Sequence, residues 1–237
     1  EGDFMAELKL SMVEPFTSPA WGSNMVVFSS VNGIPIKEED TRDYLAKASK
    51  YAVRHKVYLV TERFIMLGVK GISLINPLGK VVGAQQELNS SCGNSPQPNK
   101  EVNVVKTPFG EMFLCIDNDI YSPELTRVAY NQGAKIIVAS QYIPPAEQEH
   151  YKIIAGVWNA AQSNNLFAIG VSNQFHTVCA PKALTRHNDG FYMAPTSKRP
   201  AIAQFYTDEL ADLPLRPSLS RRFYLLHKKE LIGRADT

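Results

Sequence analysis

Three polar residues, Asp117, Asn118 and Asp119, stand where an apolar run of strand length meets the start of a helix. The run is Gly110-Glu-Met-Phe-Leu-Cys-Ile-Asp117, after a Pro108–Gly110 turn signal. Beyond it, Ser122 is placed as an N-cap, Pro123 fits the first helical position, and Glu124 suits the positive end of the helix dipole. Leu125, Val128 and Ala129 recur at helical spacing, and Gly133 is placed to end the helix. A side chain on such an elbow leaves the sheet edge facing a helix N-terminus, where α/β enzymes usually carry a nucleophile. Asp117 there is a carboxylate whose ionised form the following N–H groups favour. To act as a nucleophile it would need a cation or oxyanion donor beside it.

Other reactive side chains are scattered. Cys92, Cys115 and Cys179 are an odd number without CxxC spacing, which argues against a disulfide framework or a zinc site and fits a reducing compartment. Cys115 precedes Asp117 by two residues and shares its face if the strand is regular, but deeper in the sheet, as a packing residue. Cys92 falls in a polar loop and Cys179 in the tail. His55, His150, His176, His187 and His227 form no legible Ser–His–Asp arrangement and read as structural or surface residues. No metal site or cofactor is expected.

The whole stretch 107–125, TPFGEMFLCIDNDIYSPEL, resembles the nucleophile elbow of the nitrilase (carbon–nitrogen hydrolase) superfamily, whose pattern runs roughly TPFGRIGLLICYDIRFPEL. Thr107, Pro108, Phe109, Gly110, Leu114, Ile116, Asp119, Ile120, Pro123, Glu124 and Leu125 match without a gap, and the family's catalytic cysteine falls on Asp117. Val57-Tyr-Leu-Val60, the hairpin Ile75 to Gly83, Gly133-Ala134, Phe167 to Asn173 and Arg221-Arg-Phe-Tyr224 resemble further family segments. The resemblance implies an α/β fold, a four-layer α–β–β–α sandwich. It also implies hydrolysis of amides or nitriles through a Glu–Lys–Cys triad, in which the lysine and a backbone N–H stabilise the oxyanion. In this chain the glutamate position falls on Ser30, closing Val26-Val-Phe-Ser-Ser30, and the lysine position on Glu87, within 83–89. The triad therefore reads Ser30, Glu87, Asp117, with no catalytic side chain retained. Asn118, and Tyr142 in the loop at 141–145, complete the expected ligand pocket.

A hydroxyl and two carboxylates change the pocket's charge. Two carboxylates within a few ångströms raise one pKa or recruit a cation, which would favour an amine, a guanidine or a metal ion. The other outcome is that Glu87 turns to solvent or pairs with a nearby lysine. The expectation is a catalytically inactive homologue that binds a small amine or amide ligand, or a partner protein. The alternatives are a hydrolase of non-peptide carbon–nitrogen bonds working with altered residues, and a structural subunit beside an active homologue. Family members dimerise through the helix after the elbow and the long helix before the Leu166 strand. Tyr130, Tyr151 and Trp158 would offer apolar groups to such a homodimer.

The elements that must position this site follow from periodicity. Leu8–Val13 and Met25–Phe28 read as strands joined by a loop over 14–24, where the family has its first helix. Thr41 is placed to cap a helix with Tyr44, Leu45, Ala48, Tyr51 and Ala52 on its apolar face. Val57–Val60 is a strand, and Gly71–Ile75 and Lys80–Gly83 flank an Asn76–Gly79 turn. Residues 85–100 read as a polar loop and Lys135–Ala139 as a strand. A helix over 147–164 shows Tyr151, Ile154, Ala155, Trp158 and Ala161 on one face. Leu166–Val171 is a strand, followed by a tail of weak strands and turns.

The 237 residues suit one domain over 1–237, with a C-terminal arm from about 205. A net charge of +2 calls for neither nucleic acid nor an anionic membrane as partner. No apolar stretch approaches the ~20 residues of a membrane span, and no signal peptide is visible, so a cytoplasmic location is expected.

Overall fold

The computed structural model describes residues 7–29, 33–89, 101–145, 147 and 149–213. The first half of the chain builds one sheet from β1 (Leu8–Val13), β2 (Met25–Phe28), β3 (Tyr58–Val60), β4 (Phe64–Met66), β5 (Val69–Ile75) and β6 (Val81–Gln86). The second half builds another from β7 (Val104–Thr107), β8 (Gly110–Ile116), β9 (Ile136–Gln141), β10 (Phe167–Ser172), β11 (His176–Cys179) and β12 (Phe191–Thr196). The chain then crosses back, and β13 (Ala201–Phe205) pairs antiparallel with β1 at the edge of the first sheet. The orders are β13-β1-β2-β3-β5-β4, with β6 also on β5, and β12-β11-β10-β9-β8-β7.

Strand alternation sorts the side chains into three cores. Leu8, Leu10, Met12, Met25 and Val27 meet Met112, Leu114, Ile116, Ile136 and Val138 between the sheets. The opposite face of the first sheet, through Val26, Phe28 and Leu59, is covered by Ala48, Tyr51 and Ala52 of α1 (Glu38–His55). The opposite face of the second sheet, through Phe113, Cys115, Ile137 and Ala139, is covered by two helical layers. These are α2 (Pro123–Asn131) and the segment α3 (Glu149–Ile153) plus α4 (Asn159–Asn164). The result is an α–β–β–α sandwich, and each large apolar side chain fully buried in it contributes about 1.5–3 kcal/mol.

Several local expectations change. Helix α1 starts at Glu38, so Thr41 lies inside it, and the first turn carries Glu38, Glu39 and Asp40 at the dipole's positive end. The Thr41 hydroxyl lies 3.0 Å from the Lys37 carbonyl and 2.7 Å from that of Ile65, tying the helix to β4. Leu45 is only half-buried, and Thr41 takes its place on the buried face. Strand β4 was not legible because its turn to β5 uses Leu67 at φ 53° beside Gly68 at φ 74°, a left-handed pair that leucine does not announce. Strand β6 runs on to Gln86, past the start of the expected loop. The buried Gln85 amide donates to the carbonyls of Gln86 (2.9 Å) and Glu101 (3.1 Å) and accepts from Asn103 N–H (3.0 Å).

The long helix is broken by a wider π turn over Ile154–Trp158, with Gly156 at φ −95°, ψ −106°. Its buried face is Ile153, Gly156, Val157, Ala160, Ala161 and Asn164, while Tyr151 and Ala155 are exposed. The helix comes so close to the elbow that a Cβ at Gly156 would stand 3.1 Å from Tyr121 and 3.2 Å from Ile120. Ser30, Cys92, His227 and the segment 221–224 lie outside the described residues.

Candidate functional site

Strand β8 ends at Ile116, and the chain turns through Asp117 at φ 45°, a conformation that L side chains adopt only under strain. A 3-10 turn over Asp117–Tyr121 leads into α2. This turn separates Asp117 from Cys115. The thiol points into the helix-side core, where burial pushes it well above its ordinary range, while Asp117 faces a cavity. Ser122 holds the N-cap position of α2, but its hydroxyl accepts a hydrogen bond from the Asn89 side chain at 2.7 Å instead of capping the helix.

The Asp117 carboxylate meets donors from three other segments. Arg63, between β3 and β4, and the backbone N–H of Tyr142 (2.9 Å), just after β9, both donate to Oδ1. Lys70 on β5 donates to Oδ2 at 2.9 Å. The same Lys70 ammonium lies 3.1 Å from Glu87 Oε1, directly beyond β6, and Glu87 N–H bonds the Lys70 carbonyl at 2.9 Å. Arg63 is further held by the Gly33 carbonyl at 2.9 Å. The side chains of Arg63, Glu87 and Asp117 are 2%, 8% and 11% exposed, and that of Lys70 33%.

Two cations and two carboxylates thus balance. Burial alone would raise the Asp117 carboxyl, but Arg63 and Lys70 outweigh it and hold the group below its usual range. Burial alone would lower the Lys70 ammonium, and the two carboxylates raise it instead. The anticipated excess of negative charge, which would have drawn an amine, guanidine or metal ion, is absent because Lys70 sits between Glu87 and Asp117. Of the two outcomes, pairing of Glu87 with a nearby lysine is the one found. Among the described residues no group of three or more His, Cys, Asp or Glu side chains is arranged to hold a metal.

A cavity of about 220 Å³ opens over this network, lined by Lys70, Glu87, Asp117, Asn118, Tyr121 and Tyr142 among others. The Glu147–Lys152 ion pair at 2.6 Å forms part of its wall, with the Lys152 ammonium 4.9 Å from the centre of the Tyr121 ring. Asp119 faces the other way. It is 1% exposed and accepts N–H bonds from Leu88 (2.8 Å) and Asn89 (2.7 Å), pinning the chain after Glu87 to the elbow. Burial pushes its carboxyl up to about 6 against those two hydrogen bonds. His176 is fully buried in β11, and burial together with the charge of Arg199 pushes it down to about 4, which leaves it neutral at pH 7.

Four of the five residues singled out from sequence, Glu87, Asp117, Asn118 and Tyr142, line one cavity. Arg63 and Lys70 were missed. The available signal was a lone charge next to apolar strand residues: Lys70 precedes Gly71-Ile-Ser-Leu-Ile75, and Arg63 follows Val57–Val60 closely.

The architecture and the strained elbow are those of the nitrilase superfamily fold. Among solved structures, Nit3 from Saccharomyces cerevisiae, a member of branch 10 of that superfamily, matches with a TM-score of 0.70 at 14% identity, over 89% of this chain and 94% of its own. An amidase from Nesterenkonia sp. matches with a TM-score of 0.66 at 12% identity, over 87% and 93%. A carbon-nitrogen hydrolase from Helicobacter pylori matches with a TM-score of 0.67 at 13% identity, over 96% and 97%. Compared by sequence, the chain matches no family model and no curated protein.

Proposed function

We propose that the chain is a nitrilase-superfamily protein that has lost the Glu–Lys–Cys chemistry and uses the elbow cavity to bind a small polar ligand without turning it over. The observation that carries this reading is the state of the elbow side chain. An amidase from Nesterenkonia sp. AN1 takes the acetamide moiety of fluoroacetamide covalently on its active site cysteine. The position that the resemblance assigns to that cysteine holds Asp117 here, and Asp117 spends its oxygens on Arg63, Lys70 and Tyr142 N–H. A carboxylate so neutralised is a poor nucleophile, whereas acyl transfer needs an activated one. Because the four charges cancel, a neutral amide fits the cavity better than an amine or a divalent cation. Incubation with simple amides and with fluoroacetamide is expected to leave the intact mass of the protein unchanged and to release no ammonia, while a bound amide raises Tm. An acyl adduct on any residue, or steady ammonia release, overturns the proposal.

One observation favours a second reading, a carbon–nitrogen hydrolase with altered residues. Lys70 and Glu87 place an ammonium and a carboxylate 3.1 Å apart beside the elbow, the two group types that assist the cysteine in the family. On this reading only the nucleophile has changed.

The assembly is proposed as a homodimer through the outer faces of α2, α3 and α4. Val128 (41% exposed) and Tyr151 (68%) support it. Trp158 does not, because its indole N–H bonds the Asp189 carbonyl at 2.8 Å within the same chain and its ring lies 5.3 Å from the Lys182 ammonium. Sedimentation as a monomer at micromolar concentration rejects the dimer. Among the described residues no helix is long and apolar enough to cross a membrane, and Cys115 and Cys179 are free, buried thiols. A reducing, cytoplasmic compartment is proposed on the cysteine pattern.

A further inference from the structure

We propose that Arg63, Lys70 and the Tyr142 N–H form a carboxylate-binding site that Asp117 occupies from within the chain. The inference rests on reading Asp117 as a ligand and not as a nucleophile. The three donors come from chain segments 54, 47 and 25 residues away from Asp117, and they converge on the two oxygens of one carboxylate. Each donor is also placed by something other than Asp117. Arg63 is held by the Gly33 carbonyl, Lys70 by its strand and by Glu87, and Tyr142 by its place directly after β9. The arrangement is therefore a preformed anion site, and a buried guanidinium demands an anion there.

Asp117 reaches this site on a short side chain from a backbone at φ 45°, where glycine is the natural residue. Substitution by glycine relieves the backbone and vacates the space between the donors. It leaves two cations facing one carboxylate, Glu87, so the site then carries an unmet positive charge. The vacated space adjoins the cavity of about 220 Å³, through which a small ion enters. The chemical class that fits is a small monocarboxylate, with formate or acetate supplying the two oxygens and the charge that Asp117 supplies in the native chain. In the native protein the same class is excluded, because its place is taken.

The experiment compares wild type, Asp117→Gly and the double variant Asp117→Gly/Lys70→Met. Each is melted in sodium acetate, in sodium formate and in sodium chloride at matched ionic strength, so that screening is common to all. Acetate or formate is expected to raise the Tm of Asp117→Gly by roughly 3–6 °C at about ten times its Kd. Wild type is expected to show no difference from chloride, and the double variant to lose the response. Asp117→Ala is run in parallel, with the same response expected, so that a poorly folding glycine variant does not end the test. The proposal is overturned if carboxylates do no more than chloride in both single variants, including any failure to recover folded protein from either. A wild type that responds as the variants do also overturns it. Amide turnover by wild type would instead sink the non-catalytic reading, and the two failures are told apart by the assay in which they occur.

Discussion

Replacing Lys70 by methionine removes the charge that holds Glu87 and Asp117 together while keeping most of the side chain's bulk. The Lys70 nitrogen lies 2.9 Å from Asp117 Oδ2 and 3.1 Å from Glu87 Oε1, so those two oxygens are close neighbours. At a separation of about 6 Å, two unit charges repel by about 2.8 kcal/mol when the effective dielectric constant is about 20. Lys70 is a third exposed, so water screens part of this, and Arg63 still neutralises Asp117 in the variant. The expected loss is therefore about 1–3 kcal/mol at pH 7, or roughly 3–10 °C in Tm for a chain of this size. The pH dependence follows from the signs of the shifts. The Asp117 pKa is depressed on folding, so its contribution is present above its unfolded value and disappears as pH falls through the folded one. The Lys70 pKa is raised, so its contribution is complete below its unfolded value and disappears as pH rises through the folded one. Thermal melts at pH 7 and pH 3 are thus expected to show a large gap between wild type and Lys70→Met at pH 7 and a small one at pH 3. Adding Glu87→Gln to Lys70→Met should recover most of the lost stability, because it removes the repulsion. A Lys70→Met protein as stable as wild type, or a double variant no better than the single one, would refute the reasoning.

Three further outcomes are expected. Asp119 has a pKa of about 6 in the folded protein, above its unfolded value, so it lowers stability as pH rises from about 4 to 6; Asp119→Asn should flatten that part of the curve in urea titrations. The same variant loses one of the two N–H bonds from Leu88 and Asn89, at a cost of about 1–3 kcal/mol at pH 7, because an amide offers one acceptor where the carboxylate offers two. Gly33→Ala should lower Tm by several degrees, since φ 69° disfavours a side chain by about 1–2 kcal/mol and a Cβ there would overlap the Tyr142 ring; an unchanged Tm would show that Tyr142 yields freely. Asp117→Cys puts a thiol beside the Lys70 ammonium, so peptide mapping after iodoacetamide should find position 117 labelled far faster than the buried Cys115 and Cys179.

The elbow was legible because it is local. A strand-length apolar run, then Pro123 and Glu124 behind Ser122, describes a strand-to-helix turn within a few residues, and the structure puts β8, the turn and α2 there. Alternation likewise announced β1, β2, β5 and β10, since each buries both faces or one face in a fixed period of two. Glu87, Asn118 and Tyr142 came from the resemblance, and they line the same cavity as Asp117. What the sequence by itself could not determine was the partner of each charge. Periodicity shows on which face a residue stands, not which residue from a distant segment stands opposite. Lys70 and Arg63 meet Asp117 across 47 and 54 residues of chain, through the pairing of β5 with its neighbours and the packing of one sheet on the other. The π turn at Gly156 is of the same kind: the helical period runs through it unbroken in sequence, and only the close approach of Ile120 and Tyr121 requires the backbone to widen there. Tertiary packing therefore decided that the elbow cavity holds a neutral network of two cations and two carboxylates in place of an acidic pocket.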